Sequence, residues 1–241
     1  MGVKRHQWLR RGLTMTPMLS IVVPVLNEAR ILEARLNALQ CHRVAEVELI
    51  VVDGGSVDRS AEIAAPLCDR TLVSTPGRAC QMNAGAEAAC GTWLLFLHAD
   101  TILSKESFDA LLISGQTRMG MVQRSYQWQA PFLPLTASLM NLRSAWTGIA
   151  TGDQGLFVRQ RVFQGVGGFP VLPLMEDIAL CKSLREQAEP VIVRSPLVTD
   201  GRRWDQGGWS RTVILMWLLR WGYWCGISPE RLSRFYAHVR N

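Results

Sequence analysis

The chain has 241 residues, 48% of them hydrophobic and 19% charged, a balance that excludes an intrinsically disordered chain and supplies apolar material for one large core. Its 26 Lys and Arg against 20 Asp and Glu leave a formal net charge of +6, which favours anionic partners such as phosphates, nucleic acid or acidic lipid headgroups. The six cysteines form neither a CxxC pair nor a zinc spacing, so they read as buried thiols of a reducing, cytoplasmic compartment and not as a disulfide framework.

Residues 1–18 are basic but carry no apolar stretch, so they are expected as a loose leader and not a secretory signal. "LSIVVPV", Leu19 to Val25, then reads as a buried strand, and Leu32, Leu36 and Leu39 fall on one helical face with Asn27 as the expected N-cap. "VELIVVD" is a second strand ending at Asp53, followed by a short helix to about Ala65, and "RTLVS" is a weaker third strand. Residues 78–90 are Ala-rich with helical spacing, Gly91 suits the position after a helix end, and "WLLFL" is the fourth strand. This alternation implies an α/β protein with a mostly parallel sheet and helices on both faces. Ligands of such sheets bind beyond the C-terminal strand edge. Asn27 with Glu28, Asp53, and His98 with Asp100 all follow predicted strands and are expected to converge there.

Further along, "GMVQRSYQW" is strand-like, Pro131 to about Trp146 is an apolar helix, and "GDQGLFV" is another strand. Helices are predicted at 176–188 and 209–223, with an amphipathic one from Pro229. Trp217, Trp221 and Trp224 fall at i, i+4 and i+7. A core-facing stripe is the expected reading, and peripheral contact with a membrane interface is the alternative. The most apolar run, Val213 to Ile227, is interrupted by Arg220 and is too short to span a bilayer.

Five stretches could carry chemistry. "VVDGGSVD" sets Asp53 and Asp58 around two glycines, which suits close approach of a ribose or base but also suits any strand-to-helix turn. It is neither a P-loop nor a GxGxxG fingerprint. A carboxylate at Asp100 suits Mg²⁺ or Mn²⁺ shared with a diphosphate, and His98 points the same way if strand geometry continues; the bland reading makes Asp100 a cap for a helix near Ser104 and His98 a core residue. "LMEDIAL" puts Glu176 and Asp177 in a helix's first turn, where they complement the dipole or supply a general base. "TPGRACQMNAGA" offers Arg78, Gln81 and Asn83 at a helix start to a phosphate or sugar. "DGRRWDQGGWSR" adds Arg202, Arg203 and Arg211 beside Trp204 and Trp209, a diphosphate clamp with sugar stacking or a packed basic surface. No helix-turn-helix, zinc-finger or RNP signature accompanies them, and no nucleic-acid partner is expected.

Taken in order, "IVVPVLNEA", "VVDGGSVD", "LLFLHAD" and "LMEDIAL" resemble glycosyltransferase family 2 over most of residues 19–210. "GRACQMNAGA", "LFLHADT", "GDQGLF" and "RRWDQGGWSRT" resemble a bacterial subgroup labelled as arsenosugar biosynthesis glycosyltransferases. The resemblance implies a Rossmann-like GT-A fold in one domain over 19–241, with a nucleotide-binding half at 19–100, an acceptor half at 101–210 and C-terminal helices at 211–241. It implies a nucleotide-sugar donor, UDP-linked as first choice, a divalent cation (Mn²⁺ or Mg²⁺), a hydroxyl acceptor and an inverting direct displacement. By position Asn27, Glu28, Asp53 and Asp58 match the nucleotide-binding segments, Asp100 matches the last Asp of the Asp-x-Asp motif, and Asp177, beside Glu176, matches the proposed base. Two departures stand out: Gly54 replaces a second Asp, and His98 replaces the first acid of Asp-x-Asp. "QGGW", followed by Ser210, is only partly similar to the Gln-x-x-Arg-Trp element, and no processive role follows. A sugar nucleotidyltransferase would need a Gly-rich triphosphate loop with a lysine near the first strand, which "VPVLNEARIL" lacks. A non-catalytic basic module binding membrane surface or nucleic acid is the alternative from another class.

Overall fold

Near-continuous apolar runs such as Leu19–Val25 and Val47–Asp53 form strands because both faces of each can be covered. The computed structural model describes residues 18–43, 46–113, 119–127, 133–151, 154–200 and 209–240. Its strands are β1 (Leu19–Val25), β2 (Val47–Asp53), β3 (Arg70–Val73), β4 (Trp93–Phe96), β5 (Thr101–Ile102), β6 (Met119–Gln127), β7 (Leu156–Arg159) and β8 (Val191–Asp200). They make one eight-stranded sheet in the order β3-β2-β1-β4-β7-β6-β8-β5. The strands β1 to β4 run parallel, β7 runs against β4 and β6, and β8 is parallel to β6 and antiparallel to β5.

The helices are α1 (Ala29–Leu39), α2 (Ser60–Ala64), α3 (Arg78–Ala88), α4 (Lys105–Ile113), α5 (Leu133–Thr147), α6 (Gln160–Gly165), α7 (Glu176–Arg185), α8 (Trp209–Trp224) and α9 (Pro229–Arg240). Alternate side chains of the central strands feed two cores, as a two-residue repeat requires. Val22, Ile50, Val52 and Leu94 pack with α3, α7 and α8, whereas Ile21, Leu49, Val51 and Leu95 pack with α1 and α4.

At the N-terminal edge a polar cluster ties the parallel strands together. The fully buried Glu48 carboxylate accepts from Ser20 Oγ (2.8 Å) and Cys90 N (2.9 Å), and Arg70 Nε lies 3.3 Å from its other oxygen. Gly91 passes so close that a Cβ would sit 2.6 Å from Ser20 N, and its own N–H donates to Ser20 Oγ at 2.9 Å. Close approach, not a left-handed turn after the helix, is what requires glycine at 91.

The first four strands lie where their sequences predict. Other expectations need correction. The helix from Glu176 ends at Arg185 and not near 188. The strand expected over "GDQGLFV" begins only at Leu156, because Gln154 folds back into a turn with its N–H on Thr151 O. Asn27 does not cap α1. It sits in the left-handed region at φ 55°, and the cap comes from elsewhere in the chain. All six cysteines are free, but only Cys181 is fully buried, and Cys41 and Cys225 are exposed. Of the leader expected at residues 1–18, only Met18 lies within the described residues.

Candidate active site

The register brings the sequence-predicted residues to one edge. Val25 at the end of β1 is paired with Asp53 at the end of β2, and Asp53 with Val73 at the end of β3. Phe96 pairs with Val22, and Leu97 N continues the ladder to Val22 O at 3.0 Å, so the chain beyond β4 runs level with the tip of β1. The antiparallel β7 starts beside Phe96, which delivers the preceding segment, with Thr151 and Gln154, to the same edge.

The two loops after β1 and β2 lock each other. Asp53, 4% exposed, accepts Gly55 N (3.1 Å) and Ser56 N (2.9 Å) on one oxygen and the Ser56 hydroxyl on the other. Asn27 Oδ1 accepts Val57 N at 2.9 Å, while its own N–H donates to Ser56 Oγ at 2.9 Å. Asp58 accepts Ala29 N (3.0 Å) and Ser60 N (3.0 Å), and Ser60 Oγ takes the N–H of Glu28 at 2.9 Å. Thus α1 is capped by the second loop, which explains the idle side chain of Asn27 in that role. The Ser60 hydroxyl and these N–H donors hold the Asp58 carboxyl below the usual range. These hydrogen bonds fix the shape of the loop pair, and carboxylate lone pairs remain for a ligand.

Helix α3 divides its polar residues between scaffold and site. Gln81, 3% exposed, donates its amide to Val25 O (2.7 Å) and Val52 O (2.9 Å), clamping the tips of β1 and β2. That amide fills the space a side chain at 54 would need: a Cβ on Gly54 would lie 2.9 Å from Gln81 Cδ. Asn83 exchanges two bonds with Phe169, Nδ2 to O at 2.8 Å and N to Oδ1 at 2.9 Å. Gln81 and Asn83 are expected to face a phosphate or sugar; Gln81 instead makes two amide bonds inside the fold, and Asn83 holds Phe169 through both ends of its amide. Arg78, the first residue of α3, is exposed at an N-terminus that has no side-chain cap.

The clamp on Phe169 carries the chain into α7. Met175 takes a left-handed conformation (φ 69°) and turns Glu176 and Asp177 into the first helical turn. Glu176 is buried. Burial, then the neighbouring Asp177 charge, pushes its carboxyl up, while the Arg78 guanidinium pulls it back, so the starts of α3 and α7 lie within electrostatic reach. Asp177 is half-buried and accepts Ile178 N at 2.7 Å. One turn on, burial and the Asp177 charge push the Cys181 thiol up to about 12, which makes it an inert packing group.

The strand geometry expected through His98 and Asp100 does not continue. β4 ends at Phe96, and Thr101 N donates to His98 O at 3.0 Å, closing a turn that holds both half-buried residues. Ser104, not Asp100, caps the next helix, through Ser107 N at 3.1 Å. The capping reading of Asp100 therefore falls. Among the described residues no group of three His, Cys, Asp or Glu side chains is placed to hold a metal ion. Arg203, with Arg202 and Trp204, lies outside the described residues.

One residue that the sequence reading passed over is Gln154, 1% exposed, within "GDQGLF". Its Oε1 accepts Ser144 Oγ (2.8 Å) and Thr151 N (3.0 Å), so it fixes the segment entering β7 against α5. Its position before a buried strand and between two glycines was the available signal.

Comparison with known proteins agrees with this layout. Residues 20–113, β1 through α4, match the model of glycosyl transferase family 2. A PGL/p-HBAD biosynthesis glycosyltransferase of Mycobacterium bovis is 43% identical over 94 residues, covering 36% of this chain and 37% of that protein. Glycosyltransferase AglE of Haloferax volcanii is 29% identical over 173 residues, 64% of this chain and 56% of that protein. The chain therefore spans well under two thirds of these relatives, and neither carries the arsenosugar label expected from the subgroup resemblance. Among solved structures, a Pyrobaculum calidifontis mannosyltransferase in complex with GDP-Man and Mn²⁺ superimposes with TM-score 0.60 at 20% identity, over 78% of this chain and 57% of that one. Staphylococcus aureus TarS in complex with UDP-GlcNAc gives 0.61 at 18% identity, over 76% and 58%. The fold is GT-A-like.

Proposed function

We propose that the chain transfers a sugar from a nucleoside-diphosphate sugar to a hydroxyl acceptor by direct, inverting displacement. The observation that carries the reading is the meeting of the family 2 segment's three strand-tip loops with the acidic start of α7 at one sheet edge. The relatives' own donors and acceptors stay with them. GDP-Man and UDP-GlcNAc in the two similar structures support testing both guanosine and uridine donors, with UDP as first choice.

The loop pair of Asn27, Glu28, Asp53 and Asp58 receives the nucleoside, and Arg78 with the open α3 N-terminus faces the diphosphate. Gln81 and Asn83 act by position, one holding the loop pair and the other the approach to α7. Asp100, with His98 beside it, is the residue that would hold a divalent cation. A lone carboxylate supplemented by diphosphate oxygens and water is a usual Mg²⁺ or Mn²⁺ donor set, which fits the lack of a three-residue cluster among the described residues. When bound, such a cation neutralises charge developing on the leaving diphosphate.

Asp177 accepts the proton of the acceptor hydroxyl as its oxygen bonds to the anomeric carbon, and the bond to the diphosphate oxygen breaks with its electron pair on the diphosphate. Glu176, its carboxyl pushed up by burial and by the Asp177 charge, lies beside it. Asp177→Asn should therefore keep nucleotide affinity within about threefold and lose transfer by at least about a hundredfold, the usual weight of a general base. Normal turnover by this variant would remove Asp177 from the role.

A further inference from the structure

Helix α8 is apolar on both faces, and only one face is covered. Leu215 and Leu219 belong to the core, and Gly222 lets Leu232 of α9 approach. On the opposite face Trp217 (65% exposed), Trp221 (70%) and Trp224 (60%) stand in solvent with Ile214 and Leu218. The sequence spacing predicts that this Trp stripe faces the core, and the structure reverses it: Leu215 and Leu219 pack, while the three tryptophans stay mostly exposed.

We infer that this face docks on an anionic membrane surface. The helix of 16 residues is about 24 Å long, short of the roughly 30 Å of a hydrocarbon core, and no helix among the described residues is long and apolar enough to cross one. A short helix with one apolar face packed and the other bearing tryptophans suits the headgroup boundary, where Trp side chains concentrate. Charge points to the kind of surface. Helix α8 contains no acidic residue, and at about 100° per residue Arg211 and Arg220 fall on opposite flanks of the Trp face. Lys182 stacks over the Tyr223 and Trp224 rings at 4.9 and 5.1 Å, and the exposed Arg231 and Arg234 of α9 follow. Cations rim the apolar face as they do in helices that bind anionic lipid. A second copy fits less well, because a two-fold contact sets a surface against itself and would bring two basic rims together with no acid of α8 to pair with them.

The test is co-sedimentation of the full chain, without donor, on vesicles of phosphatidylcholine alone and of phosphatidylcholine with about a third phosphatidylglycerol, a composition that carries the negative surface potential in question. Wild type should bind the anionic vesicles, and more weakly at high salt. Trp217→Ser with Trp221→Ser, and separately Arg211→Gln with Arg220→Gln, should each reduce partitioning about tenfold or more. All four positions are at least partly exposed, so melting temperatures should hold, and either pair alone suffices if the other fails to fold. No sedimentation of wild type, binding indifferent to both variant pairs, or a concentration-dependent dimer that the Trp pair abolishes would each overturn the inference. Because no donor is present, the outcome stands apart from the transferase reading.

Discussion

Gly54 and Gln81 should behave as one unit. Gly54→Ala would put a Cβ 2.9 Å from Gln81 Cδ and 3.0 Å from Nε2, closer than such atoms approach, so the amide must move. Moving it strains or breaks its bonds to Val25 O and Val52 O, both at the junction of β1 and β2. With a net ~1 kcal/mol per bond and a penalty for an unmet buried amide donor, Gly54→Ala should cost about 1–3 kcal/mol. Gln81→Ala alone should cost about 2–4 kcal/mol, because it leaves both carbonyls without this donor and opens a cavity. In the Gln81→Ala background the obstacle is gone, and Gly54→Ala should be close to neutral, a coupling of about 1–3 kcal/mol. Urea denaturation of the four proteins measures this, and melting temperature should follow by roughly 2–4 °C per kcal/mol at this size. An equal penalty for Gly54→Ala in both backgrounds would refute the reasoning. Should Gln81→Ala instead leave stability intact and abolish nucleotide binding, Gln81 would be a ligand contact after all.

Glu48→Ala should destabilise by about 2–4 kcal/mol in denaturant titrations, since it leaves the buried Ser20 hydroxyl and the Cys90 N–H without their acceptor and opens a cavity, yet leave nucleotide affinity unchanged because the cluster lies at the opposite sheet edge. The Glu176 carboxyl is raised in the fold, so its contribution to stability is complete below about 4.5, its unfolded value, and falls as pH rises through the folded value. Glu176→Gln should accordingly gain stability relative to wild type as pH is raised across that window in thermal melts. A constant difference at all pH values would contradict the raised carboxyl.

The segment that matches family 2 was legible because its signals are local. Buried strands announce themselves as apolar runs, and the residues after them had to arrive at one edge once the strands were parallel. What stayed hidden depends on partners distant in sequence. Nothing near Asn27 says that α1 is capped by Asp58 and Ser60, about thirty residues away. Nothing near Gln81 says that its amide fills the space above Gly54, a position that reads from sequence alone as a lost acid. Likewise a helix that is apolar all round carries no period to show which face is covered, and the Trp stripe of α8 was assigned to the wrong one. The turn at His98 to Thr101 was hidden by a simpler cause, the apolar run that ends one residue beyond β4.

Calorimetric titration of UDP and GDP, each with Mn²⁺, Mg²⁺ or EDTA, into wild type and Asp100→Ala tests the nucleotide-sugar site most directly. Binding of one nucleotide that needs the cation, and that weakens by about tenfold or more in Asp100→Ala, is the predicted result. Equal affinity in EDTA, indifference to Asp100→Ala, or no binding of either nucleotide under any of these conditions would contradict it.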